Sequence, residues 1–136
     1  MTQAATETRS VVVEREIAHP VEKLWRALTQ PHLIAEWLMQ NDFALEQDRA
    51  FTLRGEWGSV DCKVLAIAPN RSLAYSWGAM GLESTVTWTL TPTATGTHLR
   101  LEHAGFKPDQ TQAYQGAKFG WQKFLAALEQ TVAREI

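Results

Sequence analysis

A curved antiparallel sheet wrapped around one long C-terminal helix, with two short helices inserted after the first strand, is the α+β architecture this sequence predicts. Three observations carry it. Apolar and polar residues alternate in short stretches along most of the chain, two proline-led segments near the start have helical spacing, and a single long helical pattern closes the chain.

The first strand runs from Arg9 to Ala18, with Val11, Val13, Arg15 and Ile17 on one face and Val12, Glu14 and Glu16 on the other. The period then changes. Pro20 suits a first helical turn, where its missing N–H is no loss, and Val21, Leu24, Trp25 and Leu28 follow at helical spacing. Pro31 opens a second short helix with the stripe Leu33, Ile34, Trp37 and Leu38. Neither helix is long enough to be stable alone, so both must dock. Beyond Asn41, Phe51, Leu53, Gly55 and Trp57 alternate with Thr52, Arg54 and Glu56, and another strand spans Val60 to Ala68. "PNRS" is a turn, Leu73, Tyr75 and Trp77 mark the next strand, and "GAMGLE" is a glycine-flanked loop. In "STVTWTL" Val86, Trp88 and Leu90 oppose Thr85, Thr87 and Thr89, and the last strand is "THLRLEHAGF". Short connections between successive strands require antiparallel neighbours. From about Asp109 to Glu135 a helix carries Tyr114, Ala117, Trp121, Phe124, Leu125, Leu128 and Val132 on one stripe. Gly116 and Gly120 lie within or beside it, each costing about 1 kcal/mol relative to alanine. They either allow close approach to the sheet, delay the helix start, or form a hinge at a pocket mouth. Wrapping the sheet around this helix covers every apolar face and tends to leave an inward space on the concave side; whether that space is packed solid or hollow is the functional question.

The chain has 136 residues, 45 % hydrophobic and 21 % charged, and a formal net charge of -2. One domain over 9–136 is expected behind a polar tail, 1–8. Lys and Arg form no run, which argues against nucleic acid as a partner. The opening "MTQAATET" lacks the features of a signal peptide, and no apolar run spans a membrane. The single cysteine, Cys62, excludes an internal disulfide and fits a reducing cytoplasm. It reads as a small buried hydrophobe. Neither metal nor cofactor is expected: no phosphate loop or Gly-x-Ser-x-Gly turn occurs, and His98 and His103, five apart on one strand, fall on opposite faces. His19 and His32 read as surface or capping residues.

Four stretches carry a family resemblance: "HPVEKLWRALTQPHLIAEWL", "VLAIAPNRSLAYSW", "STVTWTLTPTATGTHLRLEHAGF" and "GWQKFLAALE". Their order and spacing resemble the family similar to the C-terminal domain of the activator of 90-kDa heat-shock protein ATPase. That family lies within the START-related SRPBCC, or birch-pollen-allergen-like, superfamily, and the resemblance covers the chain from about Val11. It implies the helix-grip fold and an inward cavity suited to apolar or aromatic molecules. The sequence departs from the pattern at "QDRAF", where many relatives carry a Gly-Gly turn. Fold alone does not settle function.

The expected ligand-binding residues are Arg15, Trp57, Tyr75, Trp77, Trp88, His103, Phe106 and Trp121. His103 stands in a row of aliphatic residues and reads as part of a wall, either as a satisfied ring or as a polar group that orients a ligand. A guanidinium at position 15 either faces inward, paired with Asp61, Glu83, Glu102 or a ligand carboxylate, or snorkels outward. Met80 and Leu82 either cap the pocket entrance or sit exposed. The leading expectation is binding of a small apolar or aromatic molecule between sheet and C-terminal helix, without catalysis, by a cytoplasmic monomer or homodimer. Two alternatives stand beside it: a co-chaperone-like module that binds a chaperone, and a cyclase- or hydrolase-like enzyme using Arg15 with His103.

Overall fold

The structure is a computed structural model that describes residues 8–56, 58–79 and 81–134. Trp57, Met80 and the tail up to residue 7 lie outside the described residues. The chain runs β1 (Arg9–Ile17), α1 (Val21–Thr29), α2 (Pro31–Trp37), β2 (Gln40–Asn41), β3 (Ala50–Gly55), β4 (Gly58–Ala68), β5 (Ser72–Ala79), β6 (Leu82–Pro92), β7 (Thr97–Phe106) and α3 (Thr111–Arg134). All strands join one antiparallel sheet in the order β1-β7-β6-β5-β4-β3-β2. Closing the meander with β1 beside β7 places the first strand under the last helix.

Local chemistry explains the breaks. Gln30 is extended because it precedes Pro31, and it serves as C-cap of α1 and N-cap of α2 at once. β2 is too short to carry a periodicity and was not expected. It is held by Asn41, whose Nδ2 donates to the Pro31 and Met39 carbonyls at 3.0 Å each. In "QDRAF", Asp48 takes φ 65°, the left-handed conformation that glycine tolerates best and aspartate next. The turn therefore forms without the Gly-Gly of the resembled family. α3 starts at Thr111 rather than Asp109 because Lys107 and Gln110 close a turn, the Lys107 N–H donating to Gln110 Oε1 at 2.8 Å and the Gln110 N–H to the Lys107 carbonyl at 2.9 Å.

Two bulges redirect side chains. In β7 Ser10 faces Ala104 and Arg9 faces Phe106, so Gly105 is the extra residue, at φ 113°. This insertion returns Phe106 to the inner face occupied by Leu99, Leu101 and His103. In β4 the register slips between Val64 and Ala66, leaving Leu65 exposed.

The interior is solid at one end. Trp37 meets Trp88 edge-on at 5.5 Å and donates its indole N–H to the Ala27 carbonyl at 2.8 Å. Phe51 packs edge-on between Phe43 and Tyr75. The second half of α3 seals this end by burying Trp121, Leu125, Leu128 and Val132. Its first half is different: from Thr111 to Gly120 no residue is buried.

The β6–β7 turn shows where glycine is required. A Cβ on Gly96 would collide with the Ile17 carbonyl oxygen and lie 2.8 Å from the His19 nitrogen and 2.9 Å from the Ala18 Cα. These are backbone atoms that cannot step aside. Gly96→Ala is therefore expected to destabilise the fold by about 2 kcal/mol. Urea denaturation checks this, and an unchanged midpoint would show that the turn relaxes freely.

Candidate functional site

Beneath the first half of α3 lies a hollow of about 880 Å³. Its sheet wall is aromatic, formed by Trp77 of β5 with His103 and Phe106 of β7. Trp121 and Phe124 close one side, and Met39, Ala79 and Leu82 add apolar surface. The helix contributes Ala113, Gly116, Ala117 and Gly120, and the largely exposed polar run from Asp109 to Gln112 lines the hollow as well. Small residues of the first half of α3 thus share the lining with large rings of the sheet.

His103 is the polar centre of the wall and is only 2 % exposed. The Trp121 indole, which can only donate, sends its N–H to His103 Nδ1 at 2.9 Å. Nδ1 must then be unprotonated, so the neutral ring carries its proton on Nε2 and donates to Ser84 Oγ at 2.8 Å. Ser84 in turn donates to the Trp77 carbonyl at 2.8 Å. Every polar atom in this relay has a partner. Burial lowers the His103 pKa from 6.5 to about 4, keeping the ring neutral at ordinary pH.

The same relay bears on catalysis. A serine nucleophile needs a histidine nitrogen free to accept its proton. Here that nitrogen already carries one, and the other is held by an indole rather than a carboxylate. Ser84 and His103 tie β6, β7 and α3 together, but their protonation runs the wrong way for hydroxyl activation.

Of the expected site residues, the hollow brings together Trp77, His103, Phe106 and Trp121. Tyr75 and Trp88 are inward but belong to the solid end, where the Trp88 indole N–H donates to the Tyr75 hydroxyl at 3.0 Å. Burial raises the Tyr75 pKa, so the phenol stays protonated. Trp57 lies outside the described residues. Arg15 is outside the hollow: its partners are Glu129 and Gln122 of α3, each at 2.9 Å, not Asp61, Glu83 or Glu102. Arg15 shares the inner face of β1 with Val13 and Ile17, and because this margin strand lies under α3 the side chain meets the helix directly. Arg15 and His103 are accordingly separate, each engaged with different partners.

Leu82 lines the hollow, while Met80 lies outside the described residues. Close approach of α3 to the sheet does not explain its glycines, because a Cβ on Gly116 would meet nothing within 4 Å. Ser84 was missed, although its parity with Val86 and Trp88 puts a small hydroxyl on the inner face. Met39 was missed because it follows α2 in an irregular segment. Cys62 is buried, and burial with the nearby Asp61 and Asp42 charges pushes its thiol up to about 12. His98 is on the outer face, as its spacing from His103 required. Hydrogen bonds to Glu16 and then Glu14 raise its pKa.

A helix gripped by a curved antiparallel sheet over an aromatic hollow defines an SRPBCC-type protein. The model of the family described as activator of Hsp90 ATPase homolog 1-like protein matches residues 18–133, and the chain belongs to that family. Among solved structures it is similar to protein MLL2253 from Mesorhizobium loti, at 56 % identity and a TM-score of 0.91, covering 94 % of this chain and 99 % of that one. CalU16 from Micromonospora echinospora is 29 % identical with a TM-score of 0.82, covering 94 % and 78 % respectively. DynU16, a putative protein in the dynemicin biosynthetic locus, shares the fold at 24 % identity and a TM-score of 0.84, with 92 % of this chain matching 47 % of that one. No curated protein matches the sequence. Among the described residues no helix is long and apolar enough to cross a membrane.

Proposed function

We propose that this protein binds a small apolar or aromatic molecule in the hollow between the sheet and the first half of α3. The observation that carries the reading is a space of about 880 Å³ walled by Trp77, His103, Phe106 and Trp121 and left unfilled by the helix above it. Pockets of this size, mostly apolar with few polar groups, are the usual form of small-molecule sites. Cytoplasmic residence belongs to this reading and is supported by the single, buried, unpaired cysteine. The family description supports a second reading, docking to a chaperone, in which the hollow would have no part.

A guest burying about 200 Å² of apolar surface gains about 5 kcal/mol, which corresponds to sub-millimolar dissociation. Titrations should therefore reach millimolar ligand. Because Trp77 and Trp121 line the space, aromatic compounds are expected to change the tryptophan fluorescence saturably and to shift the amide resonances of Gly116 and Gly120. A panel of aromatic and lipid-like compounds that gives only linear, non-saturating changes would overturn the reading. Recovery of a chaperone whose ATPase the protein stimulates would favour the second one.

A further inference from the structure

We infer that Gly116 and Gly120 determine which ligand this hollow admits, an amphipathic molecule that enters with an uncharged ring system first; this rests on the proposed reading of the hollow as a ligand site. Glycine is the poorest helix former after proline, yet two stand four residues apart inside α3. The usual reasons for it are missing. Neither has a positive φ. Neither lets another element come close, since a Cβ on Gly116 meets nothing within 4 Å and one on Gly120 meets only a Phe124 ring carbon at 4.0 Å. Both line the hollow, across from the rings of the sheet wall. What the missing side chains leave is open space on the lining of the hollow.

The inner wall also fixes the direction of entry. The Trp121 indole N–H, both His103 nitrogens and the Ser84 hydroxyl are engaged with one another or with the Trp77 carbonyl. A charged or strongly polar group pushed inward would lose its water and find no free partner there. Asp109, Thr111 and Gln112, which also line the hollow, are exposed to solvent, so a polar group beside them keeps its hydration. The inward end of the ligand is thus uncharged and flat, and its polar end stays outside.

The test uses two probes, N-phenyl-1-naphthylamine as a bulky uncharged ring system and indole as a small one, with the variants Gly116→Ala and Gly116→Leu. Gly116→Ala is expected to raise Tm by about 3 °C, because the helix gains propensity and nothing is displaced. Gly116→Leu is expected to weaken N-phenyl-1-naphthylamine binding at least tenfold while indole binding changes less than twofold. A lower Tm for Gly116→Ala, or unchanged N-phenyl-1-naphthylamine affinity in Gly116→Leu, overturns the inference and leaves the ligand reading standing. Saturable binding of neither probe by the unsubstituted protein counts against the ligand reading itself and takes this inference with it.

Discussion

Trp121→Ala is expected to lower the unfolding free energy by about 4 kcal/mol, the usual range for deleting a large buried aromatic. The indole is 2 % exposed and lies 5.3 Å from the Trp77 ring, 5.7 Å from Trp88 and 5.5 Å from Phe124, measured between centroids. Its loss would join the hollow to the solid end of the core and remove the clamp between α3 and the sheet. Trp121→Phe separates the two contributions. A phenyl ring retains much of the packing but leaves His103 Nδ1 without its donor, at a cost of about 1–3 kcal/mol, reduced where water enters from the hollow. With Nδ1 freed, the imidazole can take a second proton, so its pKa should rise in Trp121→Phe. Guanidinium denaturation gives the stabilities, and NMR titration of the ring protons gives the pKa. Equal stability of Trp121→Phe and the unsubstituted protein, with no change in His103 titration, would show that the indole acts only as bulk.

Most of the fold was legible because strand and helix periods are distinct and the proline steps punctuate them. Trp77, Trp88 and Trp121 were placed inward by parity and helical phase alone. Parity fails where a residue is inserted. Phe106 has the wrong parity for the inner face relative to His103 and reaches it only through the bulge at Gly105, which depends on pairing with β1 and β6. The boundary of the hollow was also hidden. Tyr75 and Trp77 stand two apart on the same face, yet one fills the core and the other lines a void. The difference lies in their neighbours: Tyr75 is enclosed by Phe51 and Trp88, whereas Trp77 meets His103 and, on α3, Trp121. Arg15 illustrates the same limit, since a periodic pattern gives a face but not the strand's position at the sheet margin. That position supplies Glu129 and Gln122 as partners.

The hydrogen-bond relay predicts an acid limb in the stability profile. In the folded protein His103 titrates at about 4, against an ordinary value of 6.5 that applies to the unfolded chain. Between these values the unfolded state binds a proton that the native state refuses, so stability falls as pH falls through this window. The full difference is about 3 kcal/mol, present above pH 6.5 and lost once pH drops below 4. Protonation would also set a second N–H against the Trp121 donor, so opening of the clamp accompanies it. His98 works in the opposite sense: its raised folded pKa contributes stability below the unfolded value, which is lost as pH rises through the folded one. The two histidines on one strand therefore oppose each other. The exposed ring is screened by solvent, so the buried ring dominates. His103→Gln keeps an acceptor and a donor but has no proton to gain. Its stability measured by urea unfolding should stay nearly level from pH 6.5 to 4 relative to the unsubstituted protein, while His98→Gln leaves the acid limb in place. Parallel profiles for His103→Gln and the unsubstituted protein across that window would mean that the buried imidazole does not control acid stability.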